Sequence, residues 1–84
     1  MEITIYTTPI CPYCIRAKNL LKKKGLEYRE INVAFDAEMR NWLVQKTGQR
    51  TVPQIFFDQE YIGNCDEIHR KERTGELDRL LGKA

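Results

Sequence analysis

The sequence predicts an α/β fold in which a four-stranded mixed sheet is flanked by helices in the order βαβαββα. Three observations predict it. A β-rich run, Ile3 to Tyr6, is followed by a helical pattern and a second β-rich run within about thirty residues, the length of a βαβ unit with parallel strands. Two further β-rich runs flank the short polar stretch Asp58, Gln59, Glu60, which reads as an antiparallel hairpin. A second helical pattern separates these pairs, and a third follows them.

Each element has its own signals. In the first strand Ile3 and Ile5 alternate with Glu2, Thr4 and Tyr6. The first helix spans about Pro12 to Lys24, with Cys14, Ala17, Leu20 and Leu21 recurring at helical spacing. Pro12 suits a first turn that has no use for its missing N–H, and Gly25 stands where a left-handed cap belongs. The second strand is Tyr28 to Val33. Asp36 caps a helix over Ala37 to Thr47, closed by Gly48, with Met39, Trp42, Leu43 and the stem of Lys46 as its inner stripe. The hairpin pairs Val52–Phe57 with Tyr61–Ile62. After Gly63 and Asn64, Asp66 caps a last helix that runs to Thr74, stops at Gly75 and resumes with Leu77, Leu80 and Leu81 packing on the sheet.

At 84 residues the chain makes one domain, 1–84, with a single core. Fourteen basic residues against twelve acidic ones leave +2, and the charges are scattered, so no nucleic-acid partner is expected. The one basic run, Lys22 to Lys24, closes a helix where cations complement the dipole and reads as a solvated face needing no partner. No stretch approaches the roughly 20 apolar residues of a membrane span, and the N-terminus lacks the charged and apolar regions of a leader. A cytoplasmic monomer with no membrane partner is expected. In that reducing compartment an odd number of cysteines argues against a secreted disulfide scaffold.

Two of the three cysteines, Cys11 and Cys14, bracket Pro12 and Tyr13 where the first helix begins. A sulfur at a helix start lies beside unpaired N–H groups and the positive end of the helix dipole, which favours thiolate over thiol. The second sulfur follows about one turn later, on a neighbouring surface position, so a strained, reducible disulfide can form. The chain therefore reads as a dithiol redox enzyme.

Three matched positions extend that reading: CPYC at Cys11–Cys14, TVP at Thr51, Val52 and Pro53, and GxCD at Gly63–Asp66. Together they resemble the glutaredoxin branch of the thioredoxin fold, of the dithiol CPYC class, over nearly the whole chain. Thioredoxins usually carry Gly-Pro between the cysteines and lack the GxCD turn. The resemblance implies a glutathione-dependent thiol-disulfide oxidoreductase acting on disulfide-containing or glutathionylated proteins, with glutathione as cosubstrate, no tightly bound cofactor, and glutathione reductase as an indirect partner. Cys11 would be the nucleophile and Cys14 the resolving thiol. Pro53 would be cis, presenting the backbone of Thr51 and Val52 to the extended backbone of glutathione.

The same resemblance assigns the rest of a glutathione site. The turn at Gly63–Asp66 leads into a helix whose free N–H groups would seat the γ-glutamyl carboxylate, with Cys65 in that turn. Asp66 and Glu67 would meet the ammonium, Arg40 would approach the glycine carboxylate, and Tyr13 would form one wall. Two positions depart from the pattern: Thr8 replaces a common lysine, removing a cation beside the nucleophile, and Asn64 replaces the second glycine of the turn. Three other readings stay open. Cys11, Cys14, Cys65 and His69 could form a Cys₃His zinc set, although a lone His on a charged helix usually reads as solvated. Some members of the family carry an iron–sulfur cluster with glutathione, which Pro12 and Cys14 argue against. A redoxin reduced by thioredoxin reductase is the third. Cys65 itself reads as a small apolar filler or as a further redox thiol.

Overall fold

In the computed structural model, which describes residues 1–82, β1 (Ile3–Thr7) runs through the middle of a four-stranded sheet. Residues 83 and 84, the end of the expected domain, lie outside the described residues. β2 (Arg29–Asn32) pairs parallel with β1 on one side, and β3 (Gln54–Phe57) pairs antiparallel with it on the other. β4 (Glu60–Gly63) adds to β3, giving the order β2-β1-β3-β4. α1 (Pro12–Lys23) links β1 to β2, α2 (Ala37–Thr47) links β2 to β3, and α3 (Cys65–Thr74) with α4 (Glu76–Leu80) follows β4. The α/β mixed sheet expected from the sequence is the one observed.

The alternation along β1 divides the interior. Ile3 and Ile5 join Ala17, Leu20 and Leu21 of α1 and Ile68 and Leu77 of α3 and α4 in the larger cluster, while Tyr6 points to the other face with Val33, Leu43 and Phe56. Every residue of β1 is buried, as a central strand covered on both faces requires. Full burial of an aliphatic side chain contributes about 1.5–3 kcal/mol, so the larger cluster anchors α1, and with it the cysteines.

α2 is held more lightly. Leu43 is its one fully buried residue; Trp42 is 42% exposed and Lys46 is exposed, in contrast to the inner stripe the sequence suggests. Trp42 covers the aromatic pair Tyr6–Phe56 from outside, at centroid distances of 5.9 and 5.8 Å, so one side of the indole stays wet. The helix lies over a sheet face that it does not fully cover.

Several element boundaries differ from those expected. β2 is shorter than expected because Tyr28 and Val33 fall outside it, although the Val33 N–H still bonds the Thr7 carbonyl at 2.8 Å. β3 starts at Gln54, since Pro53 has no N–H to donate to a ladder, and Glu60 belongs to β4, where it pairs with Phe57. α3 begins at Cys65 and is capped by Asn64 instead of Asp66: the Asn64 Oδ1 accepts from the Glu67 N–H at 2.9 Å, and the Glu67 Oε1 accepts from the Asn64 N–H at 3.1 Å. Asp66 then falls in the first turn.

The C-terminus of α1 closes as its glycine suggests. Gly25, at φ +72°, lets the Leu26 N–H bond the Leu21 carbonyl and its own N–H bond that of Lys22. Lys24 departs from the solvated reading: its Nζ lies 2.7 Å from Glu72 and 2.6 Å from Asp78, clamping the end of α1 to α3 and α4.

Candidate active site

Cys11 is the N-cap of α1. Its backbone is extended, its carbonyl accepts from the Ile15 N–H, and its Sγ accepts from the Cys14 N–H at 3.1 Å. One orphan donor of the helix start is thus satisfied by the sulfur itself, an arrangement that improves as the sulfur gains negative charge. The same Sγ is partly open to solvent and lies 3.9 Å from the Val52 carbonyl oxygen.

Cys14 is different in kind. It is 1% exposed, and burial, followed by its hydrogen bond to Cys11, pushes its thiol from 9.0 up to about 12, against the opposing influences of the Thr8 backbone and Lys18. An accessible sulfur that accepts an N–H therefore stands beside a buried sulfur that keeps its proton. Both are free thiols, so the arrangement is the reduced state.

Opposite Cys11, the Val52–Pro53 bond is cis and Pro53 is buried. The loop is tied down by Gln54, which is fully buried: its Nε2 donates to the carbonyls of Gln49 and Thr51 at 2.9 and 3.0 Å, and its Oε1 accepts from the Thr47 hydroxyl at 3.0 Å. Strand patterning does not single out Gln54; its signal in the sequence is an amide set between a proline and the apolar run Ile55, Phe56, Phe57.

A cleft of about 220 Å³ is lined by Tyr13, Thr51, Val52, Pro53, Asn64, Cys65 and Asp66. Six residues named from the sequence thus meet around one hollow, with Cys11 beside it through Val52. The N–H groups of Cys65 and Asp66, at the start of α3, have no hydrogen-bond acceptor among the described residues. Two hollows beside Trp42, of about 290 and 330 Å³, are larger but hold no thiol, so chemistry decides which cleft is the site.

Two named residues lie outside that lining. The Glu67 carboxylate is engaged in the cap with Asn64, and Arg40, on α2, directs its Nη2 to the Arg50 carbonyl at 3.5 Å. Cys65 is 2% exposed and burial raises its thiol. His69 is half-buried, with Nδ1 2.7 Å from the Cys65 carbonyl oxygen and 3.6 Å from its sulfur, rather than solvated. Among the described residues no three of His, Cys, Asp and Glu gather so as to hold a metal ion.

Paired cysteines at a helix start, an asymmetry between their sulfurs and a cis-proline loop facing them define the class: a thiol-disulfide oxidoreductase of thioredoxin-like fold. The sequence model of the glutaredoxin family matches residues 3–62. A glutaredoxin of Pseudomonas aeruginosa is 49% identical over 79 residues, covering 94% of each chain, and glutaredoxin 3 of Escherichia coli is 43% identical over 80 residues, covering 95% of this chain and 96% of its own. Among solved structures, a buckwheat glutaredoxin–glutathione complex superposes with a TM-score of 0.89 at 33% identity, covering 98% of this chain and 77% of that one. A glutaredoxin from Brucella melitensis gives 0.86 at 42% identity, covering 99% of this chain and 90% of that one. The chain belongs to the glutaredoxin family.

Proposed function

We propose that this protein uses glutathione to reduce mixed disulfides and protein disulfides through Cys11 and Cys14. The observation that carries the reading is the cleft at Val52 and Pro53, which opens next to the Cys11 sulfur and is walled by Tyr13 and the start of α3. The Cys11 thiolate attacks the glutathione-side sulfur of a mixed disulfide, and the other sulfur leaves with the bonding electrons and takes up a proton. A second glutathione then displaces Cys11, releasing glutathione disulfide. With a protein disulfide the substrate is held on Cys11, and Cys14 displaces it by forming the Cys11–Cys14 bond.

The residues fit the ligand's groups. The backbone of Thr51 and Val52 pairs with the extended peptide, the free N–H groups of Cys65 and Asp66 receive the γ-glutamyl carboxylate, and the exposed Asp66 carboxylate meets the ammonium. Tyr13 forms one wall beside the ligand's cysteinyl sulfur. Arg40 has N–H donors beyond the one 3.5 Å from the Arg50 carbonyl and meets the glycine carboxylate with them, and Glu67, with Oε1 in the cap of α3, leaves its other oxygen for the ammonium.

The test is NADPH consumption coupled through glutathione reductase, on a small mixed disulfide, for wild type, Cys11→Ser and Cys14→Ser. The first substitution abolishes activity and the second leaves most of it, because glutathione resolves the adduct unaided. Equal loss in both variants, or no dependence on glutathione, overturns the reading.

A further inference from the structure

The buried Cys14 must lose its proton to resolve a substrate held on Cys11, a loss that the Thr8 backbone favours. A chain of hydrogen-bonded side chains begins one turn further along the same helix. Lys18 follows Cys14 by one helical turn on the neighbouring face of α1, and its charge acts on the Cys14 sulfur in the direction of the thiolate. Lys18 is not left to wander: its Nζ lies 3.1 and 3.3 Å from the two carboxylate oxygens of Glu30 on β2. Glu30 is fixed in turn by the Thr7 hydroxyl, which donates to Oε2 at 2.7 Å from a side chain 1% exposed at the end of β1. The strand that leads into the active-site loop thereby holds a carboxylate, and the carboxylate holds the ammonium of a residue one helical turn from the resolving cysteine.

A structural role alone explains this poorly. The pair is partly solvated, with side chains 24% and 39% exposed, and such pairs contribute about 0.2–1 kcal/mol to stability. Fixing a cation beside a thiol that has to ionise gives the arrangement a use at the one step where Cys14 acts.

We propose that Lys18, oriented by Glu30 and Thr7, is a positioning residue for the resolving step: it stabilises the Cys14 thiolate as that sulfur attacks the Cys11 mixed disulfide. In that step the Cys14 proton passes to solvent and the Cys14–Cys11 bond forms. The bond from Cys11 to the substrate sulfur breaks, and the substrate sulfur leaves with the electron pair and is protonated. Over the attack by Cys11 and this step together, the dithiol is oxidised by two electrons and the substrate disulfide is reduced by two. The inference rests on the proposed dithiol chemistry but not on its preference for glutathione.

A single-turnover experiment separates the steps. Reduced protein is mixed with glutathione disulfide, quenched by acid at intervals and weighed by mass spectrometry. The rise of the glutathione adduct reads Cys11, and its decay to the intramolecular disulfide reads Cys14. Lys18→Met slows the decay roughly threefold, because less of the attacking sulfur is thiolate while its intrinsic nucleophilicity rises only in part to compensate, and slows the rise by less. Lys18→Arg restores the decay. An unchanged decay in Lys18→Met, equal slowing of rise and decay, or failure of Lys18→Arg to rescue overturns the inference. Repeating the reaction with bis(2-hydroxyethyl) disulfide keeps the two readings apart: loss of the glutathione preference sinks the proposed function, while the decay still tests Lys18.

Discussion

A Cβ placed on Gly63 would stand 2.6 Å from the Cβ of Glu67, so the end of β4 and the first turn of α3 touch where only glycine fits. Gly63 also holds φ +148°, a conformation side chains rarely adopt. That contact keeps the start of α3, and the free N–H groups of Cys65 and Asp66, at the edge of the cleft. Gly63→Ala should therefore destabilise the fold by about 1–3 kcal/mol through overpacking and backbone strain, read by urea unfolding. It should also raise the KM for a glutathione mixed disulfide. Wild-type stability in the variant would contradict the packing argument.

Removing the cap has a milder effect. Asn64→Ala loses one half of a reciprocal pair and should cost about 0.5–2 kcal/mol, whereas Asn64→Gly should cost only a few tenths, since glycine is tolerated at that position. Thermal unfolding of the two variants checks the order. Equal loss would show that the side-chain bond carries no weight.

Gln54 is the buried polar group with the most to lose. Gln54→Leu nearly keeps the volume but removes the hydrogen bonds to the carbonyls of Gln49 and Thr51 and from the Thr47 hydroxyl, at about 0.5–1.5 kcal/mol for each bond lost. Because those carbonyls belong to the loop that reaches Val52, the KM for a glutathione mixed disulfide should rise along with the loss of stability. A variant that is less stable but kinetically unchanged would separate the loop from the site.

Why was this residue not visible in the sequence when Cys11, Cys14 and Pro53 were? The cysteines carry a spacing with its own chemistry, and Ile3, Ile5, Leu20 and Leu21 carry periodicities that fix the sheet and α1. Gln54 acquires its role only when α2 and the loop after it converge on β3, and strand patterning says nothing of that. The same holds for Lys24, whose partners Glu72 and Asp78 lie far along the chain. Asp66 and Asn64 both cap helices well, and the choice between them depends on where β4 ends. Trp42 has helical spacing for the core, yet the sheet face beneath it is only partly roofed.

Stability should fall on the alkaline side. Cys14 binds its proton more tightly folded than unfolded, because burial and then its bond to Cys11 raise it from 9.0 to about 12. The native state then holds more protons in that window, so this contribution is complete below pH 9 and declines as pH rises towards 12. Tyr6, Tyr61 and Cys65, raised by burial, act in the same direction. Urea midpoints should drop between pH 9 and pH 11, and drop less in Cys14→Ala. The same slope in both proteins would contradict the assignment to Cys14.

The most direct test is competition between the sulfurs of the reduced protein for a limiting amount of iodoacetamide near neutral pH, read by peptide mass mapping. The account predicts that Cys11 takes the label while Cys14 and Cys65 stay unmodified until the protein is unfolded. Labelling of Cys14 at the rate of Cys11, or a Cys11 that resists the reagent, would contradict the division of labour on which the mechanism rests.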